Sequence, residues 1–188
     1  DDLEMVARLA VDPKVVAIGE FGLDYYYDNS PKADQIKALE YQLQLAISFN
    51  KPCIFHIRDA FDDFWPILAN FPGTRGVIHS FSSTSKEVDS AVKAGLMMGL
   101  NGIVTFTKNT EQLDAAKHIP LGSIVLETDS PFLTPAPLRG TMNLPANVRL
   151  VAACLAEMRG ESLDLLIEAT TKNAQMLFSL DPNEQINF

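Results

Sequence analysis

Five short, almost unbroken apolar runs punctuate the chain: Val15-Val16-Ala17-Ile18, Cys53-Ile54-Phe55, Gly76-Val77-Ile78, Gly95-Leu96-Met97-Met98-Gly99-Leu100 and Ile124-Val125-Leu126. Runs of this length without polar alternation predict strands of a parallel sheet covered on both faces. Between them the pattern changes to helical spacing. From Asp34 to Asn50, the residues Ile36, Leu39, Leu43, Ala46, Ile47 and Asn50 mark one face, and Lys51-Pro52 then stops the helix. Ala60 to Phe71 and Asn109 to His118 predict shorter helices. Thr84-Ser85-Lys86-Glu87 reads as a capping box at the start of another, which Gly95 closes. The last third, Leu144 to Arg159 and Ser162 to Leu180, is helical throughout.

Strands alternating with helices require right-handed crossovers and a parallel sheet, either open and doubly wound or closed as a barrel. With no linker, repeat or low-complexity tract, one domain over residues 1–188 is the simplest organisation.

The chemistry lies where the apolar runs stop. Four of the five end in a side chain that metals favour: Glu20 after Ile18-Gly19, His56 after Phe55, His79 after Ile78, and Asp129 after Leu126-Glu127-Thr128. The carboxyl ends of neighbouring parallel strands converge on one face, where barrels and open sheets both place their sites. Taken singly, each residue has a plain structural reading, a hydrogen-bonded core histidine or a loop-capping carboxylate. Taken together, that many ionisable groups are costly to gather without a cation. Two imidazoles with two carboxylates suit zinc or manganese, or magnesium where waters complete the shell. Such an ion makes hydroxide available near neutral pH, and a carboxylate beside it, best filled by Asp129, takes the proton. Metal-assisted hydrolysis is the reaction class that follows. His118, at a helix end before Ile119-Pro120, reads instead as a structural partner for the last carbonyls.

The 188 residues are 47% hydrophobic and 21% charged, ordinary for a globular protein. Fifteen Lys and Arg against 24 Asp and Glu give a net charge of −9, so the surface as a whole repels polyanions. A nucleic-acid partner would need local cations. Arg58, two residues beyond His56 and on the same side of its strand, offers a planar donor fork for phosphate, with pairing to Asp59 the alternative. Arg139 is a second candidate anion contact on the loop after Pro131, with a simple turn at Arg139-Gly140 the alternative. Tyr25-Tyr26-Tyr27 would stack on bases, cover the mouth of the site or pack within their loop. The two cysteines, Cys53 and Cys154, form no disulfide framework or zinc spacing and read as buried reduced thiols. No run approaches a membrane span and the start carries no signal pattern, so a soluble, cytoplasmic protein is expected.

These residues carry a resemblance. Gly19-Glu20-Phe21-Gly22-Leu23-Asp24-Tyr25, Pro52 to Ala60, Gly76-Val77-Ile78-His79-Ser80-Phe81-Ser82 and Leu126-Glu127-Thr128-Asp129-Ser130-Pro131-Phe132-Leu133 resemble the four ordered motifs of the TatD family of metal-dependent deoxyribonucleases. The resemblance implies a TIM-like (β/α) barrel, present here as an incomplete barrel of about five parallel strands with flanking helices. It also implies hydrolysis of phosphodiester bonds in DNA with one or two divalent ions, magnesium, manganese or zinc. By motif, Glu20 corresponds to a carboxylate shared between metals with a catalytic role, His56 and His79 to metal ligands, and Asp129 to a ligand that also handles the proton of the attacking water. Arg58 corresponds to a candidate phosphate contact.

Two departures stand out. Arg139-Gly140-Thr141-Met142-Asn143-Leu144-Pro145 replaces a family pattern that carries a cation and an acid at the positions of Thr141 and Leu144. The family's opening His-x-His strand has no counterpart before Val15. A further N-terminal segment, a complementing chain or a compensating assembly is therefore expected, and without that pair one metal position would survive in weakened form. Another hydrolase on the same scaffold, or a non-catalytic barrel fragment, stays open beside the nuclease reading.

Overall fold

In the computed structural model, which describes residues 2–27 and 29–181, strands and helices alternate as the hydrophobic pattern predicts. The order is α1 (Asp2–Ala10), β1 (Ile18–Asp24), α2 (Lys32–Ser48), β2 (Cys53–Arg58), α3 (Phe61–Ala69), β3 (Gly76–Ile78), α4 (Ser85–Lys93), β4 (Met97–Leu100), α5 (Thr110–His118), β5 (Ile124–Leu126), α6 (Val148–Arg159) and α7 (Leu163–Phe178). Five parallel strands with flanking helices, in the sheet order β1-β2-β3-β4-β5, bear out the expected fold class.

The chain forms two compact units, one reaching Ile78 and resuming at Leu177, the other His79–Met176. In the first, β1 pairs with β2 through Gly22↔His56 and Asp24↔Arg58, and β2 pairs with β3 through Cys53↔Gly76 and Phe55↔Ile78. Its core is aromatic. Phe55 meets Phe21 edge-on at 5.3 Å and Phe64 of α3 at 5.2 Å, and all three rings are buried. Phe55 thus faces the helix layer, and strand alternation sends His56 and Arg58 to the opposite face.

In the second unit β4 pairs with β5 from Met98↔Ile124 to Leu100↔Leu126, and α6 buries Val151, Ala152, Leu155 and Ala156. Asn109 caps α5 by accepting from the amides of Glu111 and Gln112. At the other end of α5, Arg159 donates to the carbonyls of Ala116, Lys117 and Ile119 at 2.8–3.0 Å. That is the work the sequence assigned to His118, whose Nε2 lies instead 2.8 Å from Asp89 of α4. The three carbonyls gather around Nη1 of Arg159, while its Nη2 donates to Glu161 at 2.9 Å.

Two further details depart from expectation. β1 begins at Ile18, where the run Val15–Ile18 was expected to be the strand. Lys51 of the loop before β2 donates to the carbonyls of Val15 and Asp12, which holds that stretch outside the ladder. Thr84 stands at the N-cap of α4, but its hydroxyl makes no capping bond.

Candidate metal centre

The correction to β1 is what organises the site. With the strand running Ile18–Asp24, Phe21 and Leu23 turn into the core while Glu20, Gly22 and Asp24 share the other face. Gly22 is registered directly opposite His56, so the two carboxylates flank the imidazole from either side. Glu20 Oε1 lies 2.9 Å from His56 Nδ1, and Asp24 Oδ2 lies 2.9 Å from His56 Nε2. The strands approach so closely here that a Cβ on Gly22 would collide with the backbone carbonyl of His56.

Asp24 was not among the residues singled out from sequence. Its signal was the period-two spacing of Glu20, Gly22 and Asp24, hidden while the strand was started three residues early. Its second oxygen, Oδ1, accepts from the amides of Tyr26 and Tyr27 at 3.0 Å each. Burial alone would raise this carboxyl's pKa. The amide hydrogen bonds and His56 outweigh it and hold the pKa below the ordinary value.

His79 is covalently continuous with β3. The β2–β3 ladder ends at Phe55↔Ile78, so His79 follows directly on its last pair. The ligand atoms that Glu20, His56 and His79 offer all lie within 4.8 Å of one another. Three of the four residues predicted as metal ligands are therefore brought together.

Asp129, the fourth, lies beyond β5 with a left-handed backbone, φ 56°. Its neighbour by two, Glu127, is anchored by hydrogen bonds. Glu127 Oε1 accepts from the Ser80 amide at 2.6 Å and the Asn101 side chain at 3.1 Å, and lies 3.8 Å from His79 Nδ1. Burial raises the Glu127 pKa above the ordinary range, with the charge of Asp129 adding to it and His79, Ser80 and Asn101 opposing. Gly99 makes room for it, since a Cβ there would stand 2.6 Å from Glu127 Oε2.

The two arginines differ in their surroundings. Arg58 ends β2 with its guanidinium carbon 4.1 Å from the Tyr26 ring centre and 4.8 Å from that of Tyr27. Arg139 donates to the Thr134 carbonyl at 2.8 Å and lies 3.9 Å over the ring of Phe106. Its contacts tie the loop that follows Asp129 to Phe106.

Across residues 1–179 the sequence matches the family model described as TatD related DNase. The chain belongs to the TatD-related DNase family. It is 42% identical over 183 residues to the uncharacterized metal-dependent hydrolase YcfH of Escherichia coli K12, a match covering 96% of this chain and 69% of that protein. It is 36% identical over 182 residues to the 3'-5' ssDNA/RNA exonuclease TatD of Erwinia billingiae, covering 92% of this chain and 69% of that one. The crystal structure of YjjV, a TatD homologue from Escherichia coli K12, superposes with a TM-score of 0.88 at 32% identity, over 95% of this chain and 70% of that chain. As a TatD-family member the chain is a metal-dependent hydrolase.

The residues present fit a divalent ion. Two imidazoles and one carboxylate are a donor set that binds zinc in hydrolytic sites while leaving positions open. A ligating histidine usually donates its other ring N–H to a carboxylate, which fixes the tautomer. Asp24 is placed to be that partner for His56, leaving Nδ1, on the Glu20 side, for the ion. Among the described residues, no helix is long and apolar enough to cross a membrane.

Proposed function

We propose that this TatD-family hydrolase is a nuclease that cleaves phosphodiester bonds of single-stranded nucleic acid, DNA in the first instance. The observation that carries this is the convergence of Glu20, His56 and His79, a three-ligand set at the carboxyl ends of β-strands. A divalent cation bound there would polarise the phosphoryl group and lower the pKa of water.

The protein's own groups supply the rest. His56 is held in one orientation between Glu20 and Asp24, so the ligand set is preorganised. Asp129 takes the proton of the attacking water in this reading, and Glu127, fixed by Ser80 and Asn101, sets its carboxylate 3.8 Å from His79. Arg58 meets a non-bridging phosphate oxygen, where a planar donor fork is favoured over a point charge. Arg139 holds the loop after Asp129 through Thr134. The name carried by the Erwinia billingiae relative supports the substrate class.

The test is release of nucleotides from a single-stranded oligonucleotide with manganese, magnesium or zinc, compared with the same reaction under chelator and with Asp129→Asn. Metal-dependent release that Asp129→Asn abolishes is expected. Hydrolysis of an amide, lactone or phosphotriester with none of DNA or RNA would overturn the reading.

A further inference from the structure

The three consecutive tyrosines after β1 are not equivalent. Tyr25 is tied into the fold: its hydroxyl donates to Asp63 Oδ2 at 2.8 Å, and the Lys32 ammonium stands 3.8 Å over its ring. Tyr26 and Tyr27 are presented outward, 60% and 58% exposed, with their rings 4.9 Å apart at an interplanar angle of 88°. Two large aromatic faces left in water on an anchored turn are an unusual use of apolar surface. The anchoring is specific. Asp24 Oδ1 accepts both their amides, and the Tyr25 amide donates to the Arg58 carbonyl at 3.0 Å.

The geometry points to a nucleobase-stacking subsite formed by Tyr26, Tyr27 and Arg58, which takes an unpaired nucleotide next to the bond being hydrolysed. This inference rests on the nuclease reading and deepens it by naming what selects single strands. The guanidinium carbon lies 4.1 Å and 4.8 Å from the two ring centres, and the in-plane N–H edge of a guanidinium is the part that forks onto a phosphate. Tyr26 lies two residues beyond Asp24, and Arg58 lies two beyond His56 on the same strand face. A base stacked on the rings therefore has its phosphate near Arg58, a short step from Glu20 and His56. In a duplex the base faces are covered by stacking, so a ring platform favours unpaired bases and tolerates any sequence.

The experiment is anisotropy titration of labelled strands in chelator, which prevents cleavage, using dT12, a deoxyribose-spacer strand of equal length without bases, and a duplex. Wild type is expected to bind dT12 about tenfold or more tightly over the baseless strand. Tyr26→Ala and Tyr27→Ala together should bring that ratio near one, Tyr26→Phe should retain it, and Arg58→Lys should weaken both strands alike. Circular dichroism confirms that each variant is folded. A base preference that survives the double alanine variant, or is absent from wild type, overturns the subsite. If the wild type cleaves single strands without base preference, the subsite alone fails. If it neither binds nor cleaves any strand, the nuclease reading fails with it.

Discussion

Asp24 and His56 are joined across neighbouring strands by a 2.9 Å contact, and the same carboxylate grips the main chain of the aromatic turn with its other oxygen. One side chain thus links a proposed metal ligand to a proposed substrate surface.

Asp24→Asn keeps the size of the side chain and removes its charge. The affinity for zinc or manganese is expected to fall about 10- to 100-fold, the usual effect of losing a histidine's carboxylate partner. Competition with a chromogenic chelator measures it. Unchanged affinity would show that the Asp24 contact does not support the ion.

Glu20→Gln and His79→Ala each remove a proposed ligand, so their loss of affinity should exceed that of Asp24→Asn. Asp129→Asn should behave differently, lowering kcat about 10²- to 10⁴-fold through lost proton transfer. Elemental analysis alongside kinetics separates the cases. If Asp129→Asn lost its metal as completely as His79→Ala, its main role would be ligation.

Gly22→Ala places a methyl group against the His56 carbonyl. Overpacking of this kind costs about 1–3 kcal/mol, and the displaced His56 should also bind its ion more weakly. A urea denaturation midpoint equal to that of wild type would contradict the close strand approach.

Alkaline pH should destabilise the fold through Cys53, whose burial pushes its thiol up to about 12 from the ordinary 9. Above pH 9 the unfolded chain releases this proton and the folded chain keeps it. Stability therefore falls as pH rises from 9 toward 12, by at most about 1.4 kcal/mol per pH unit for one group. Tyr25, also raised to about 12, adds a parallel decline from pH 10. Denaturation midpoints between pH 8 and 11 for wild type and Cys53→Ala should converge as pH rises. Parallel curves would sink the assignment.

Much of this architecture was legible in the residues themselves. Gly76–Ile78 and Ile124–Leu126 are strands with the bounds their apolar runs predicted, because short, doubly covered strands consist of little except apolar side chains. β1 was misplaced for the opposite reason. Its sequence Ile-Gly-Glu-Phe-Gly-Leu-Asp gives one whole face to glycine and carboxylates, so hydropathy reads it as a loop. The same misreading hid Asp24 while leaving Glu20 visible. α1 was not anticipated at all, since residues 1–14 carry no strand-end chemistry and only a short apolar stripe. Glu127 stood in plain view inside the last motif, but only the structure shows Ser80 and Asn101 fixing it. Their hydrogen bonds join residues 26 and 47 positions apart, a separation that no local pattern encodes.

Because Asp24 holds the turn by its peptide N–H groups, the ring identities at positions 26 and 27 contribute nothing to that grip. Tyrosine there is exchangeable for tryptophan, histidine or a small polar residue without loosening the imidazole next door. On the nuclease reading, a change of ring at these two positions alters which polymer is favoured while the proposed cation site stays as it is.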